Sequence, residues 1–88
     1  MDEKTVEREL VKRVKEEGGI AYKFTSPNRR SVPDRLCLLP GGNILFVECK
    51  APGKKPTKLQ AREHERLRAM GFEVVVVDDK KDANALIK

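Results

Sequence analysis

Residues 33–50 read PDRLCLLPGGNILFVECK. Two largely apolar runs flank a Pro-Gly-Gly-Asn turn, which predicts two strands, Asp34–Leu39 and Ile44–Lys50, joined as a hairpin. The second run opens with four consecutive apolar residues, so we expect it to be covered on both faces and central in its sheet. It ends with Glu48 and Lys50, whose side chains share one face because side chains alternate along a strand. Charge at the edge of a core is costly unless it is paired, hydrated or bound to a metal, so the hairpin predicts a site as well as a fold.

The register of this hairpin decides whether its two carboxylates can work together. A tight two-residue turn at Gly41-Gly42 would set Asp34 opposite Cys49 and leave Asp34 and Glu48 on opposite faces of the sheet. If the two carboxylates share a metal, the pairing must slip by one residue, through a bulge or a loop of three or five residues. We predict the slipped register.

Hydrophobic periodicity places a helix before the hairpin. Val6, Leu10, Val11 and Val14 fall at helical spacing, which predicts a helix over residues 4–17 that ends at two glycines. Glu7 lies at the margin of the apolar stripe. Its ordinary interpretation is a rim glutamate with a basic partner one helical turn away.

The remaining segments complete an α/β fold. We expect a strand over residues 20–25, a second helix over 57–70, an apolar strand over 72–77, and a short final helix that Asp78 or Asp79 caps and that reaches Ile87. The order is then α-β-β-β-α-β-α. A helix between the third and fourth strands implies a right-handed crossover and parallel pairing, so the four-stranded sheet is mixed and flanked by helices.

Length and composition exclude several classes of protein. With 88 residues, the chain is long enough for one core, and we expect a single domain over residues 1–88. No apolar run approaches the ~20 residues of a membrane span, and the acidic start does not resemble a signal peptide, so we expect a soluble cytoplasmic protein. Cys37 and Cys49 lie in apolar strand-like runs without metal-ligand spacing, which indicates buried free thiols.

The positive charge gathers around the two carboxylates. The net charge is +5, and a basic surface around an acidic centre suits a polyanion whose phosphates approach a metal held by carboxylates. The alternative is a solvated surface that only keeps the chain soluble. On the first interpretation, the residues that contact DNA are Lys23, Arg29, Arg30, Arg35, Lys54, Lys55 and Lys58.

The residue types at the hairpin suit metal-assisted hydrolysis. Asp34 and Glu48 offer the hard oxygen ligands that Mg²⁺ or Mn²⁺ prefers, and the backbone carbonyl of Cys49 is a further candidate. Such an ion polarises a scissile phosphate and lowers the pKa of a bound water, which Lys50 could orient or assist by stabilising charge on the phosphate. The alternative is a surface Glu48-Lys50 pair, with Asp34 serving a turn.

In the order Glu7, Pro33-Asp34 and Glu48-Cys49-Lys50, the chain resembles the PD-(D/E)xK nuclease signature. A longer match, which covers nearly the whole chain, resembles the virus-type replication-repair nuclease (VRR-NUC) domain. Its residues are Tyr22-Lys23, Ser31-Val32-Pro33-Asp34-Arg35, Phe46-Val47-Glu48-Cys49-Lys50-Ala51-Pro52-Gly53, Gln60 and Gly71-Phe72. Ser31 departs from the glycine that many members carry there.

The resemblance implies a restriction-endonuclease-like core and a Mg²⁺- or Mn²⁺-dependent endonuclease that acts on branched or flapped DNA. Small free-standing members are associated with cutting Holliday junctions as dimers. Residues 6–11, VERELV, also resemble the first helix of archaeal junction-resolving nucleases. This favours Glu7 as an outer-shell or second-metal carboxylate.

Two side chains of the second helix have competing interpretations. Gln60 matches an active-site position of the family, but Thr57-Lys58-Leu59-Gln60 is also a capping-box sequence. His64 lies one turn further along and could face the same way, although a lone histidine on a helix is more often structural.

We therefore expect a metal-dependent, structure-selective DNA endonuclease, with Asp34, Glu48, Lys50, Glu7 and Gln60 as its site. A two-fold homodimer would supply the paired cuts that a four-way junction needs. A flap or nicking nuclease, a catalytically silent DNA-binding module and a small interaction protein are the alternatives.

Overall fold

The computed structural model describes residues 1–79, and the final helix expected to reach Ile87 lies outside them. The elements follow the predicted order within the described residues. They are α1 (Glu3–Glu16), β1 (Ile20–Lys23), β2 (Arg35–Leu39), β3 (Asn43–Cys49), α2 (Lys58–Ala69) and β4 (Glu73–Val77). The carboxylate of Asp2 caps α1 by accepting a 2.8 Å hydrogen bond from the N–H of Thr5. No helix within residues 1–79 is long and apolar enough to cross a membrane.

The four strands form one mixed sheet in the order β1-β2-β3-β4. β1 pairs with β2 and β2 with β3 in antiparallel fashion, whereas β3 and β4 run parallel. The central position of β3 and its parallel pairing with β4 are thus confirmed. A helix connects this parallel pair, as parallel neighbours require a crossover.

The hairpin adopts the slipped register. Leu39 lies opposite Asn43 and Arg35 opposite Val47, so the loop contains three residues, Pro40, Gly41 and Gly42. Both glycines have positive φ angles, 89° and 77°, a conformation that residues with a Cβ rarely adopt. The next step along the ladder brings Asp34 beside Glu48 on one face, which confirms the predicted register.

One face of the sheet packs on α1 and forms the core. The buried residues of α1, at helical spacing, meet alternate residues of the strands; the cluster consists of Val6, Leu10, Val14, Cys37, Leu45, Val47, Cys49 and Val77. Both cysteines are buried free thiols, as predicted. Burial raises the pKa of both thiols, that of Cys37 to about 11.

The opposite face of the sheet is only partly covered, which corrects the expectation that β3 is buried on both sides. α2 has 12 residues and buries Glu63 and His64 rather than an apolar stripe. Large apolar side chains therefore remain accessible beside it, including Ile44, which is 46% exposed. We call this region the open sheet face; its exposed residues are Ile20, Tyr22, Leu38, Ile44 and Phe72.

Candidate functional site

Asp34 precedes β2 and is held from two sides. Its carboxylate Oδ2 accepts a 2.8 Å hydrogen bond from the backbone N–H of Cys49, and its backbone carbonyl accepts one of 2.8 Å from the N–H of Phe24. Pro33, immediately before it, is buried, and its fixed φ suits entry into a strand. The Asp34 carboxylate is thereby fixed against the end of β3.

Glu48 is a buried carboxylate beside Asp34. Its side chain is 1% exposed and hydrogen-bonds to Asp34. Burial, followed by that hydrogen bond and the negative charge of Asp34, raises the pKa of Glu48 to about 8, although Lys50 opposes the shift. Without a cation, Glu48 is therefore largely protonated near neutral pH.

His64 contacts Glu48 from α2, a contact that sequence reasoning did not predict. Its Nε2 lies 3.3 Å from Glu48 Oε1, and the His64 side chain is 2% exposed. Burial, with the nearby charges of Arg68 and Lys50, lowers the pKa of His64. The imidazole is therefore neutral near pH 7, and in the Nε2–H tautomer it donates a hydrogen bond to Glu48 Oε1.

Lys50 follows β3 on the same face as Glu48. Its backbone N–H donates a 2.9 Å hydrogen bond to the carbonyl of Val77, which fixes the chain where β3 ends. Its ammonium group lowers the pKa of both Glu48 and His64, so it acts electrostatically on the same small region. The fold therefore brings Asp34, Glu48 and Lys50 together at the end of the sheet where β2 begins and β3 ends.

The oxygen ligands available at this end of the sheet fit a hard divalent cation. Asp34 and Glu48 present carboxylate oxygens, and a cation between them would counter both the burial and the charge of Asp34, which together disfavour ionised Glu48. No three His, Cys, Asp or Glu side chains within residues 1–79 are grouped as metal ligands. Two carboxylates completed by backbone, water and substrate oxygens are a common arrangement for Mg²⁺.

Glu7 lies on the other side of the sheet, among basic residues. Its Oε2 accepts a 2.7 Å hydrogen bond from Arg35 Nε and is 3.8 Å from Lys23 Nζ. Arg35 also donates to the carbonyl of Ala21. This cluster joins α1, β1 and β2. Within residues 1–79, the structure does not bring Glu7 into a group of metal-ligand side chains with Asp34 and Glu48. The Arg35 guanidinium is held mostly by its internal contacts with Glu7 and with the Ala21 carbonyl.

Gln60 forms the capping box of α2. Its Oε1 accepts a 2.9 Å hydrogen bond from the N–H of Thr57, and its own N–H donates a 3.2 Å bond to Thr57 Oγ1. The capping interpretation is thus confirmed. Within residues 1–79, no hydrogen bond joins Gln60 to Asp34 or Glu48.

The other basic residues expected at DNA lie on the loop between β1 and β2, on the loop after β3 and at the start of α2. Arg30, Lys54, Lys55 and Lys58 are exposed. Arg29 Nη1 lies 3.2 Å from Glu63 Oε1, so the loop between β1 and β2 is tied to α2. Two arginines of α2, Arg62 and Arg66, face this loop and were not predicted. Their spacing of four residues was the available signal, because it places both on one helix face.

Comparisons with known proteins agree with this geometry. A family model described as archaeal Holliday junction resolvase (hjc) matches residues 3–77. The chain is 60% identical over 78 residues to "Putative nuclease p44" of Acyrthosiphon pisum secondary endosymbiont phage 1, a match that covers 89% of this chain and 84% of that protein. A solved structure described as a VRR_NUC domain is 39% identical, with a TM-score of 0.90, and the match covers 96% of this chain and 91% of that one.

These findings confirm the resemblance to the VRR-NUC domain and the PD-(D/E)xK fold class, whose nucleases generally use divalent metal ions. The family model spans every strand and helix of the described fold, including the hairpin that carries Asp34 and Glu48. The chain therefore belongs to the archaeal Holliday junction resolvase (Hjc) family of nucleases.

Proposed function

We propose that this chain is a Mg²⁺- or Mn²⁺-dependent endodeoxyribonuclease that resolves Holliday junctions. The observation that carries the proposal is the adjacency of Asp34 and Glu48 on one sheet face, with the pKa of Glu48 raised to about 8. Keeping two carboxyl groups together in a nearly dry position is unfavourable, and a bound cation would offset that cost. Family membership directs the chemistry to phosphodiester hydrolysis in DNA.

In this proposal Asp34, Glu48 and the carbonyl of Cys49 hold the metal. When bound, the ion polarises the scissile phosphate and lowers the pKa of a water ligand. His64 donates its Nε2–H to Glu48 Oε1 and so keeps that carboxylate oriented. Lys50 orients the attacking water or stabilises the negative charge that develops on the phosphate.

Glu7 acts as a positioning residue in this scheme. It neutralises Arg35, whose guanidinium is largely buried, and it is within ion-pair distance of Lys23. That cluster fixes the ends of β1 and β2, next to the point where the chain reaches Asp34. Lys23, which remains exposed, is available to contact DNA.

We further propose that the active form is a homodimer joined through the open sheet face. The register sets Ile20 beside Leu38 and Leu38 beside Ile44, so these exposed apolar side chains are contiguous across three strands. A contiguous apolar patch on a small protein indicates an interface. A second copy is the occupant that fits, because a two-fold pair provides the two active sites that paired incisions need.

The test of the proposed function compares wild type with Glu48→Gln, which keeps the shape of the side chain and removes its charge. Both proteins are given end-labelled four-way junction, flap and plain duplex DNA with Mg²⁺ or Mn²⁺. We expect paired, metal-dependent cuts in the junction by wild type alone. Preferential cutting of the flap would make the chain a flap nuclease. Binding without cutting under either ion would make it a silent DNA-binding module and refute the proposal.

A further inference from the structure

We propose that a groove between α2 and the loop joining β1 to β2 binds the phosphodiester backbone of one DNA arm, next to the carboxylate pair. This inference rests on the proposed function and names a binding site for the same substrate. We call it the arginine groove; its lining residues are Asn28, Arg29, Arg30, Ser31, Leu59, Arg62, Glu63 and Arg66. The groove has a volume of about 540 Å³.

The charge of the groove is largely uncompensated. Among residues 1–79, four arginines and one carboxylate line it, and that carboxylate, Glu63, is already paired with Arg29 at 3.2 Å. Within residues 1–79, no carboxylate lies within ion-pair distance of Arg30, Arg62 or Arg66. Arg35 and Arg68, by contrast, are both tied to a glutamate and to a backbone carbonyl. Arg30, Arg62 and Arg66, unlike these two, are therefore left to face a ligand.

The elements that form the groove also form the carboxylate site. The loop that carries Arg29 and Arg30 continues directly into Asp34, and Glu63 is followed by His64, which contacts Glu48. Glu63 is 7% exposed, and its ion pair with Arg29 holds the loop against α2. A strand that lies along the groove is therefore led towards the place where hydrolysis would occur.

The chemistry of the groove favours a polymer backbone over a free nucleotide. Guanidinium groups bind phosphate oxygens in bidentate fashion, and Arg62 and Arg66 are one helical turn apart on one face. In the part of the chain that the structure describes, no aromatic ring lines the groove to stack on a base. The contacts are therefore to phosphates and independent of sequence, as suits an enzyme that reads the shape of branched DNA.

Salt-dependent binding tests the groove separately from catalysis. Fluorescence anisotropy with a labelled four-way junction, in EDTA and at 25–200 mM KCl, would compare wild type with Arg62→Gln/Arg66→Gln. Each phosphate contact contributes about 0.9 to the slope of log affinity against log salt, so the double variant should lose roughly 2 units of slope. It should also bind about tenfold or more weakly at low salt.

Two control proteins make the result specific. Lys12→Gln/Lys15→Gln also removes two positive charges, but from exposed positions of α1, and should keep the wild-type slope. Arg62→Lys/Arg66→Lys retains the positive charges without the planar guanidinium groups and should recover most of the salt dependence of binding. Equal slopes for the two Gln variants would overturn the groove, because net charge rather than position would then govern binding. So would a wild-type protein that does not bind the junction.

The groove and the proposed function can fail independently. If wild type cuts the junction and Arg62→Gln/Arg66→Gln binds with the wild-type slope, the arginine groove is not the DNA-binding site, but the proposed nuclease activity is correct. If the slope falls as expected but wild type never cuts DNA, the arginine groove binds DNA and the proposed nuclease activity is wrong. Circular dichroism of each variant at the assay temperature establishes that it is folded, and the charge-retaining variant separates loss of contacts from loss of structure.

Discussion

His64 Nε2 lies 3.3 Å from Glu48 Oε1, and both side chains are almost completely buried. The pair joins α2 to the end of β3 through the carboxylate that we propose as a metal ligand. Hydrogen bonds from outside the coordination sphere hold ligands in position, and their loss typically weakens metal affinity or activity by about 10–100-fold. The role of α2 thus extends beyond covering the sheet.

We expect His64→Ala to raise the Mg²⁺ concentration for half-maximal cleavage by about 10–100-fold, because Glu48 loses its donor. The measurement is junction cleavage as a function of Mg²⁺. His64→Gln should recover much of the affinity, since its amide nitrogen can also donate to Glu48. An unchanged Mg²⁺ dependence in a folded His64→Ala protein would show that the contact only supports packing.

Metal-free stability should fall as pH rises from about 6.5 to 8. The folded-state pKa of Glu48, about 8, is above its ordinary value of 4.5, so in this range the unfolded chain has lost a proton that the folded chain retains. His64 opposes this fall slightly near pH 6.5, because the unfolded imidazole is still about half protonated there whereas the lowered pKa keeps the folded one neutral. The loss should be about 1–2 kcal/mol, at ~1.4 kcal/mol for each unit of pH where the two states differ by a full proton.

Thermal denaturation in EDTA at several pH values measures this effect. Glu48→Gln should show no fall over the same range, and saturating Mg²⁺ should abolish the fall in wild type, because a bound cation keeps Glu48 ionised. A wild-type stability that rises with pH in this window would mean that Glu48 is ionised in the metal-free fold.

The capping box predicts coupled effects of Thr57→Ala and Gln60→Ala. Each should lower the free energy of unfolding by about 1 kcal/mol, and the double variant by less than the sum, because the two hydrogen bonds close one ring. Denaturant titration of the four proteins measures the coupling. Cleavage rates add a second readout: a loss in Gln60→Ala that Thr57→Ala does not share would place Gln60 at the active site as well.

The open sheet face predicts that Ile44→Lys separates the dimer. A charge in the centre of an apolar interface is costly to bury, so sedimentation should report a monomer where wild type is a dimer. Leu59→Lys, at an exposed leucine of α2 outside this face, is the matched control and should remain dimeric. If wild type itself is monomeric at micromolar concentrations, the proposed interface is wrong.

The hairpin illustrates what local patterns could predict. The apolar runs on either side of the Pro-Gly-Gly-Asn turn defined β2 and β3, and the requirement that Asp34 and Glu48 share a face selected the register that the structure adopts. The helix start at Thr57 was also visible, because a capping box involves residues only three positions apart. These features depend on spacing along the chain.

The features that were missed depend on contacts between distant segments. His64 is 16 residues from Glu48 and lies on a helix with too few apolar residues to mark its inward side. The pairing of Glu7 with Arg35 joins residues 28 apart, so each appeared free for another role. The groove formed by Arg29 and Arg62 likewise requires knowledge of where the loop meets α2.

The register of the hairpin makes the chemistry of this protein sensitive to the number of residues in its strands. Asp34 and Glu48 each lie five positions from the pair formed by Leu39 and Asn43, so both side chains reach one face of the sheet. Loss of one glycine from the loop would preserve that pair and leave both carboxylates in place, whereas loss of one residue between Asn43 and Glu48 would turn Glu48 towards the α1 core. A relative with an intact motif and a shorter β3 would be expected to bind DNA without cutting it.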